Sequence, residues 1–205
     1  HDEDLKADII GAMEWVYATM YNDTMDVTKD IYGNWWHWFI GMPQSLCNTV
    51  ILMYDDLDPE FIEREAKTLE NFNEDPNYRY HTTGGNRLPL DSANLIDTSL
   101  VSALRASIGE TALPLNMAKD ALEKNLGFTS EGNGYYEDGS YIDHGNLAYT
   151  GGYGATLLGG IEKLTGSGGF ALCPRAGLDR PAGTILLVIG LAAGVLQGPL
   201  ESSGS

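Results

Sequence analysis

Positive charge is scarce in this chain: 12 Lys and Arg stand against 29 Asp and Glu, a formal net charge of −17. A phosphate backbone calls for a basic footprint, so nucleic acid is excluded as a partner. Cysteine is nearly absent, with only Cys47 and Cys173. Two thiols allow one disulfide or none, and they decide neither redox compartment nor fold. The apolar run Thr184 to Leu196 is shorter than the ~20 residues a spanning helix needs, so it reads as a buried helix and no membrane is implied. Its Gly190 and Gly194 lack the spacing of a dinucleotide-binding loop, and no cofactor is expected there. The opening His1-Asp2-Glu3-Asp4 has neither the basic nor the apolar region of a signal peptide; the expectation is a chain that begins after processing or inside a longer protein. Sustained two-residue alternation with hairpin turns is also missing, so no sheet is predicted.

What is present is helical. Leu5, Ile9, Met13, Val16 and Met20 recur at helix spacing and predict an opening amphipathic helix. Pro43 to Leu57, Pro59 to Phe72, Asp91 to Ile108, Pro114 to Leu126 and Gly151 to Leu164 follow the same pattern, several opening on Pro or Asp. The predicted class is therefore all-α, built from antiparallel helix pairs. Two long segments interrupt it, Asn73 to Leu90 and Gly127 to Thr150. Loops of that length in a compact domain tend to carry function. Residues 1–164 read as one segment, and 165–205 as a Gly/Ala/Leu-rich segment ending in a flexible tail.

Eleven tyrosines and four tryptophans suit a protein that meets sugars through aromatic faces. They concentrate in two words. One is Gly33-Asn-Trp-Trp-His-Trp-Phe-Ile-Gly-Met-Pro-Gln-Ser-Leu46; the other runs from Gly134 through His144 and Tyr149 to Tyr153-Gly154. Each residue has an ordinary reading as well: tryptophans packing between helices, and a loop His and Tyr with one satisfied hydrogen bond apiece. Adjacent residues do not share a helix face, so one of Trp35 and Trp36 should point away from the core.

The second word resembles the His/Tyr motif of polysaccharide lyase family 8, with His144 and Tyr153 at the family's nine-residue separation and Asp138-Gly-Ser and Tyr149-Thr-Gly-Gly-Tyr153-Gly flanking them. The bacterial hyaluronate lyases look closest. The first word resembles the family's Asn-Trp-Trp at the mouth of the cleft, which implies substrate contacts for Asn34, Trp35 and Trp36. The family's carboxylate-binding asparagine has two candidates. Asn94 in Ser92-Ala-Asn-Leu-Ile-Asp97 is the better match, and Asn86 in Thr83-Gly-Gly-Asn-Arg87 stays open, with Arg87 as a substrate-binding neighbour. Either asparagine has an ordinary alternative as a turn or helix-start residue. The resemblance covers about Tyr32 to Leu164 and implies an incomplete (α/α) toroid acting outside the cell on an acidic polysaccharide, hyaluronan or chondroitin, with no metal and no cofactor. The family's later arginine word has no counterpart here; Arg175 and Arg180 do not match it.

The implied reaction is β-elimination. The C5 proton of a uronate is weakly acidic because the ionised carboxylate resists further negative charge, so that group must first be neutralised. Asn94, aided by His144, is the candidate for this, and Tyr153 for taking the proton and returning one to the departing O4. His144 as the base is the alternative that the sequence leaves open. A glycoside hydrolase using Glu137, Asp138 and Asp143 is a second reading, and a non-catalytic sugar-binding fragment a third. The net charge opposes a polyanionic substrate, so attraction has to be local, from Arg79, Arg87 and Arg105 with the uncharged donors of Asn34, Asn94 and His144.

Overall fold

The computed structural model describes residues 2–125 and 127–165. The segment 166–205, with Cys173, Arg175, Arg180 and the apolar run after Thr184, lies outside the described residues. Among the described residues six α-helices make up most of the fold: α1 (Glu3–Thr19), α2 (Met42–Leu52), α3 (Pro59–Phe72), α4 (Ser92–Ile108), α5 (Leu113–Asn125) and α6 (Ala155–Thr165). They pack as helix pairs with no closed sheet, the toroid-like all-α arrangement that the sequence implies. None of the helices is long and apolar enough to cross a membrane among the described residues.

The helix starts follow from local chemistry. Asp2 accepts a hydrogen bond from the backbone N–H of Leu5 at 3.1 Å, capping α1. Pro59 opens α3, where its missing N–H costs nothing. Phe61, Glu65, Thr68, Leu69 and Phe72 then form one buried stripe at helical spacing. The Pro43 helix ends earlier than its apolar pattern: α2 stops at Leu52, and Tyr54–Asp56 tighten into a 3-10 turn.

Helix α4 is the axis of the described residues. Every residue of it is buried except Asn94 and Ser107, and it packs against α2, α3, α5 and α6. A helix wrapped on all sides has to satisfy its polar groups internally. Asn73, at the end of α3, does part of this: its amide donates to the Thr98 carbonyl, and its side-chain oxygen accepts from the Ser102 hydroxyl. Cys47 is a buried free thiol in the same core.

The two long connections contain short strands. β1 (Tyr78–Tyr80) and β2 (Arg87–Pro89) form an antiparallel hairpin, Arg79 opposite Leu88. Its loop touches down on the segment before α2: Gly85, at φ +64°, leaves room for the Thr28 carbonyl, which a Cβ would meet at 2.5 Å. β3 (Gly134–Tyr135), β4 (Tyr141–Asp143) and β5 (Leu147–Ala148) form a three-stranded antiparallel sheet. Strands of two or three residues are too short to show a two-residue period, which is why the sequence reads them as loop.

Candidate active site

His144 sits in the three-residue turn between β4 and β5, with Asp143 paired to Leu147. The turn holds its backbone at φ +50°, followed by Gly145 at +87°. A left-handed histidine is uncommon and is held in place by its surroundings. Its backbone N–H donates to Asp143 Oδ1 at 2.7 Å, while Asp143 Oδ2 accepts from the Tyr141 hydroxyl at 3.4 Å. Tyr141 and Asp143 are both buried. Burial, reinforced by that carboxylate, pushes the Tyr141 phenol up to about 12. The His144 side chain is 52% exposed, and its Nδ1 lies 3.7 Å from Asp143 Oδ1.

Tyr149 and Tyr153 reach the same spot from a π-helical turn, Thr150–Gly154, which leads into α6. Extra residues in a helical turn of this kind recur at functional sites. The turn is pinned from below: the Tyr135 hydroxyl donates to the Gly154 carbonyl at 3.0 Å, and the Tyr141 N–H donates to Thr150 Oγ1 at 3.0 Å. Above that frame the three rings meet edge to face. The His144 and Tyr153 centroids lie 4.9 Å apart at 85°, His144 and Tyr149 5.7 Å apart at 86°, and the two tyrosines 5.3 Å apart at 87°.

The same loop is tied to the start of α4. Asn133 donates to the Asp91 carboxylate at 3.1 and 3.3 Å and accepts from the Gly145 N–H at 3.3 Å, and Ala93 packs with Tyr141 and Leu157. Asn94 thus stands in the first turn of α4 beside the His144 loop, half-buried. Asn86 is an exposed residue of the β1–β2 loop. Its carbonyl accepts from the His81 N–H at 2.8 Å.

The tryptophans diverge. Trp36 is 38% exposed and lies across Gly41 in a second π-helical turn, His37–Gly41. Its ring borders a cavity of about 660 Å³ together with Tyr32, Asn34, His37 and Gln44. The Gln44 amide is 3.4 Å from the Asp97 carbonyl on α4, one turn beyond Asn94, so cavity and His144 loop meet the same end of that helix. Trp35 turns the other way, half-buried, with the Arg79 guanidinium 4.3 Å above its ring. Arg87 is engaged by Asp75 at 3.0 Å and lies over Tyr78. Arg105 is buried in a cavity of about 700 Å³ near the other end of α4. Eleven residues from Asn94, at ~1.5 Å each, it is about 16 Å away, so this larger cavity is not the site. Of the hydrolase carboxylates, Asp138 is bound to its own turn, accepting from the Ser140 N–H, and Asp143 is buried under Tyr141.

Sequence reasoning missed the supports, Asn133, Tyr135 and Tyr141, and saw Asp143 only as a hydrolase carboxylate. The signal for the last two was the inward alternation of Tyr141 and Asp143, confined to three residues. Among the described residues no group of three His, Cys, Asp or Glu is placed to hold a metal.

Comparison with known proteins gives a consistent picture. The model of "Polysaccharide lyase family 8, N terminal alpha-helical domain" matches residues 1–167. A xanthan lyase of Bacillus sp. (strain GL1) is 34% identical over 157 residues, covering 76% of this chain and 15% of that protein. A hyaluronate lyase of Thermasporomyces composti is 38% identical over 133 residues, covering 65% and 16%. The chain thus spans about a sixth of the length of either relative. Among solved structures, the chondroitin AC lyase of Streptomyces coelicolor A3 in complex with chondroitin sulphate superposes with a TM-score of 0.70 at 27% identity, over 93% of this chain and 24% of that one.

Proposed function

Because the chain belongs to polysaccharide lyase family 8, we propose that the protein cleaves a uronic-acid polymer by β-elimination, with hyaluronan as the first substrate and chondroitin as the second. The observation that carries this reading is the His144–Tyr149–Tyr153 ring cluster beside the Asn94 turn of α4. In this reading the Asn94 amide and His144 hold the uronate carboxylate and offset its charge as the enolate develops. Tyr153 takes the C5 proton; the C5–H electron pair forms the C4=C5 double bond as the C4–O4 bond breaks. The same tyrosine then returns a proton to O4, so that one group serves both steps on one face of the sugar. Relatives described as hyaluronate lyases, at 38% and 32% identity, support hyaluronan as the first choice, beside a xanthan lyase at 34%.

Trp36 and Asn34 border the cavity through which the polymer enters, and Asn86 and Arg87 on the hairpin are assigned further contacts with the polymer in this reading. Residues 1–164 form the catalytic segment in this proposal, distinct from 165–205. A polysaccharide does not cross a membrane unaided, so in this reading the enzyme acts outside the cell. The test is the product: incubation with hyaluronan, chondroitin and xanthan should release a 4,5-unsaturated uronate that absorbs ultraviolet light. New reducing ends without that absorbance would reveal a hydrolase, and neither product would leave a sugar-binding segment.

A further inference from the structure

We propose that Arg79, laid flat on Trp35, is a subsite for a uronate carboxylate of the polymer, separate from the sugar that is cleaved. The inference rests on the reading of the protein as a uronate-polymer lyase. It starts from an oddity of charge. This chain has 29 acidic residues to 12 basic ones, and most described cations have taken an acidic neighbour: Lys6 with Asp56, Lys29 with Asp26, Arg64 with Glu14 and Glu65, Lys67 with Glu63, Arg87 with Asp75. Among the described residues Arg79 has none, and its one hydrogen bond there is a long one, 3.4 Å, to the neighbouring Tyr80 carbonyl.

Nor is Arg79 simply hydrated. It is half-buried, and the loss of water lowers the pKa of its guanidinium from the ordinary arginine value. A guanidinium partly stripped of water and given no carboxylate among the described residues is an unmet demand for an anion. Stacking on Trp35 at 4.3 Å meets part of that demand through the ring and fixes the plane of the fork. The in-plane N–H groups remain available, and a flat two-oxygen anion matches them.

The placement suits a polymer. Tyr80, next to Arg79, packs on Phe39 of the π-helical turn that follows the tryptophans. Leu88, paired across the hairpin from Arg79, precedes Asn94 by six residues. Six residues at ~3.3 Å bound that separation at roughly 20 Å. A chain held at Asn94 therefore reaches Arg79 within a few sugars. Trp35 acts here as a positioning residue for the guanidinium, and of this pair it is Trp36 that keeps an exposed indole for stacking.

The test compares hyaluronan oligosaccharides with their carboxyl-reduced counterparts, which keep the rings and lose the charge. On the parent chain the acidic ligand binds more tightly. Arg79→Gln should weaken the acidic ligand about tenfold or more while leaving the reduced one unchanged. Arg79→Lys, which keeps the charge but loses the flat fork, should fall between. Equal affinity for both ligands on the parent overturns the subsite, as does an Arg79→Gln chain that binds both as the parent does. A loss of the same size for both ligands also overturns it, because that is the mark of a packing role. Arg79-dependent binding without an ultraviolet-absorbing product would sink the lyase reading and leave the subsite standing.

Discussion

His144 occupies a backbone conformation that costs a non-glycine residue of the order of 1 kcal/mol, and the turn that imposes it also aims the imidazole at Tyr153. A glycine would relieve the backbone and leave nothing to act. Tyr153 keeps its ring between His144 and Tyr149, so its hydroxyl can be removed without removing its packing. Tyr153→Phe should therefore lower turnover by about 10²-fold or more while polymer affinity holds; a mutant retaining a tenth of the activity would exclude the hydroxyl from proton transfer. Tyr141, beneath the site, has a different consequence. Its phenol is raised from near 10 to about 12 by burial, so the unfolded chain loses this proton at lower pH than the folded one. The contribution is whole below pH 10 and is lost as pH rises from about 10 to about 12. Tyr141→Phe should make the alkaline fall in the urea midpoint shallower over that window. Part of the fall will remain, because buried Tyr21 is raised in the same direction.

Helices α4 and α6 meet at a glycine, and the neighbouring glycine makes a control. A Cβ on Gly160 would lie 2.7 and 2.8 Å from Ile96 Cγ1 and Cγ2, whereas one on Gly159 meets nothing within 4 Å. Gly160→Ala should cost about 1–3 kcal/mol from overpacking. Gly159→Ala should gain up to ~1 kcal/mol from helix propensity. Denaturant midpoints moving the same way in both variants would contradict the described packing of α6 on α4. These helices were legible in the sequence because their apolar stripes run for three turns or more: α3 has the bounds its pattern predicts, and α4 differs by one residue. The π-helical turns were not, since one extra residue per turn leaves no period in five residues. The His144, Tyr153 and Asn94 positions came from the family resemblance, and no periodicity would have found them. The divergence of Trp35 from Trp36 was half legible: sequence required one to turn away, and only the hairpin carrying Arg79 decided which.

Across the whole molecule, charge opposes the proposed substrate. A chain at −17 repels a polyanion at long range, and the described cations are mostly neutralised by their own carboxylates. Attraction is left to contacts at short range, among them Arg79 and the uncharged donors of Asn34, Asn94 and His144. Salt acts unequally on these two terms. At 0.1 M the Debye length is about 10 Å, short enough to suppress the global repulsion while leaving contacts within the cleft less affected. Hyaluronan binding by this chain should therefore strengthen from the lowest salt to roughly that ionic strength and weaken only beyond it. In Arg79→Gln the rising limb should persist, because the net repulsion is slightly larger, and the falling limb should flatten, because the ion pair that salt would screen is gone. Binding measured over a salt series on both chains checks this. A parent that loses affinity monotonically from the lowest salt upward would show a basic surface outweighing the overall charge, the behaviour of a protein that releases counterions from its ligand.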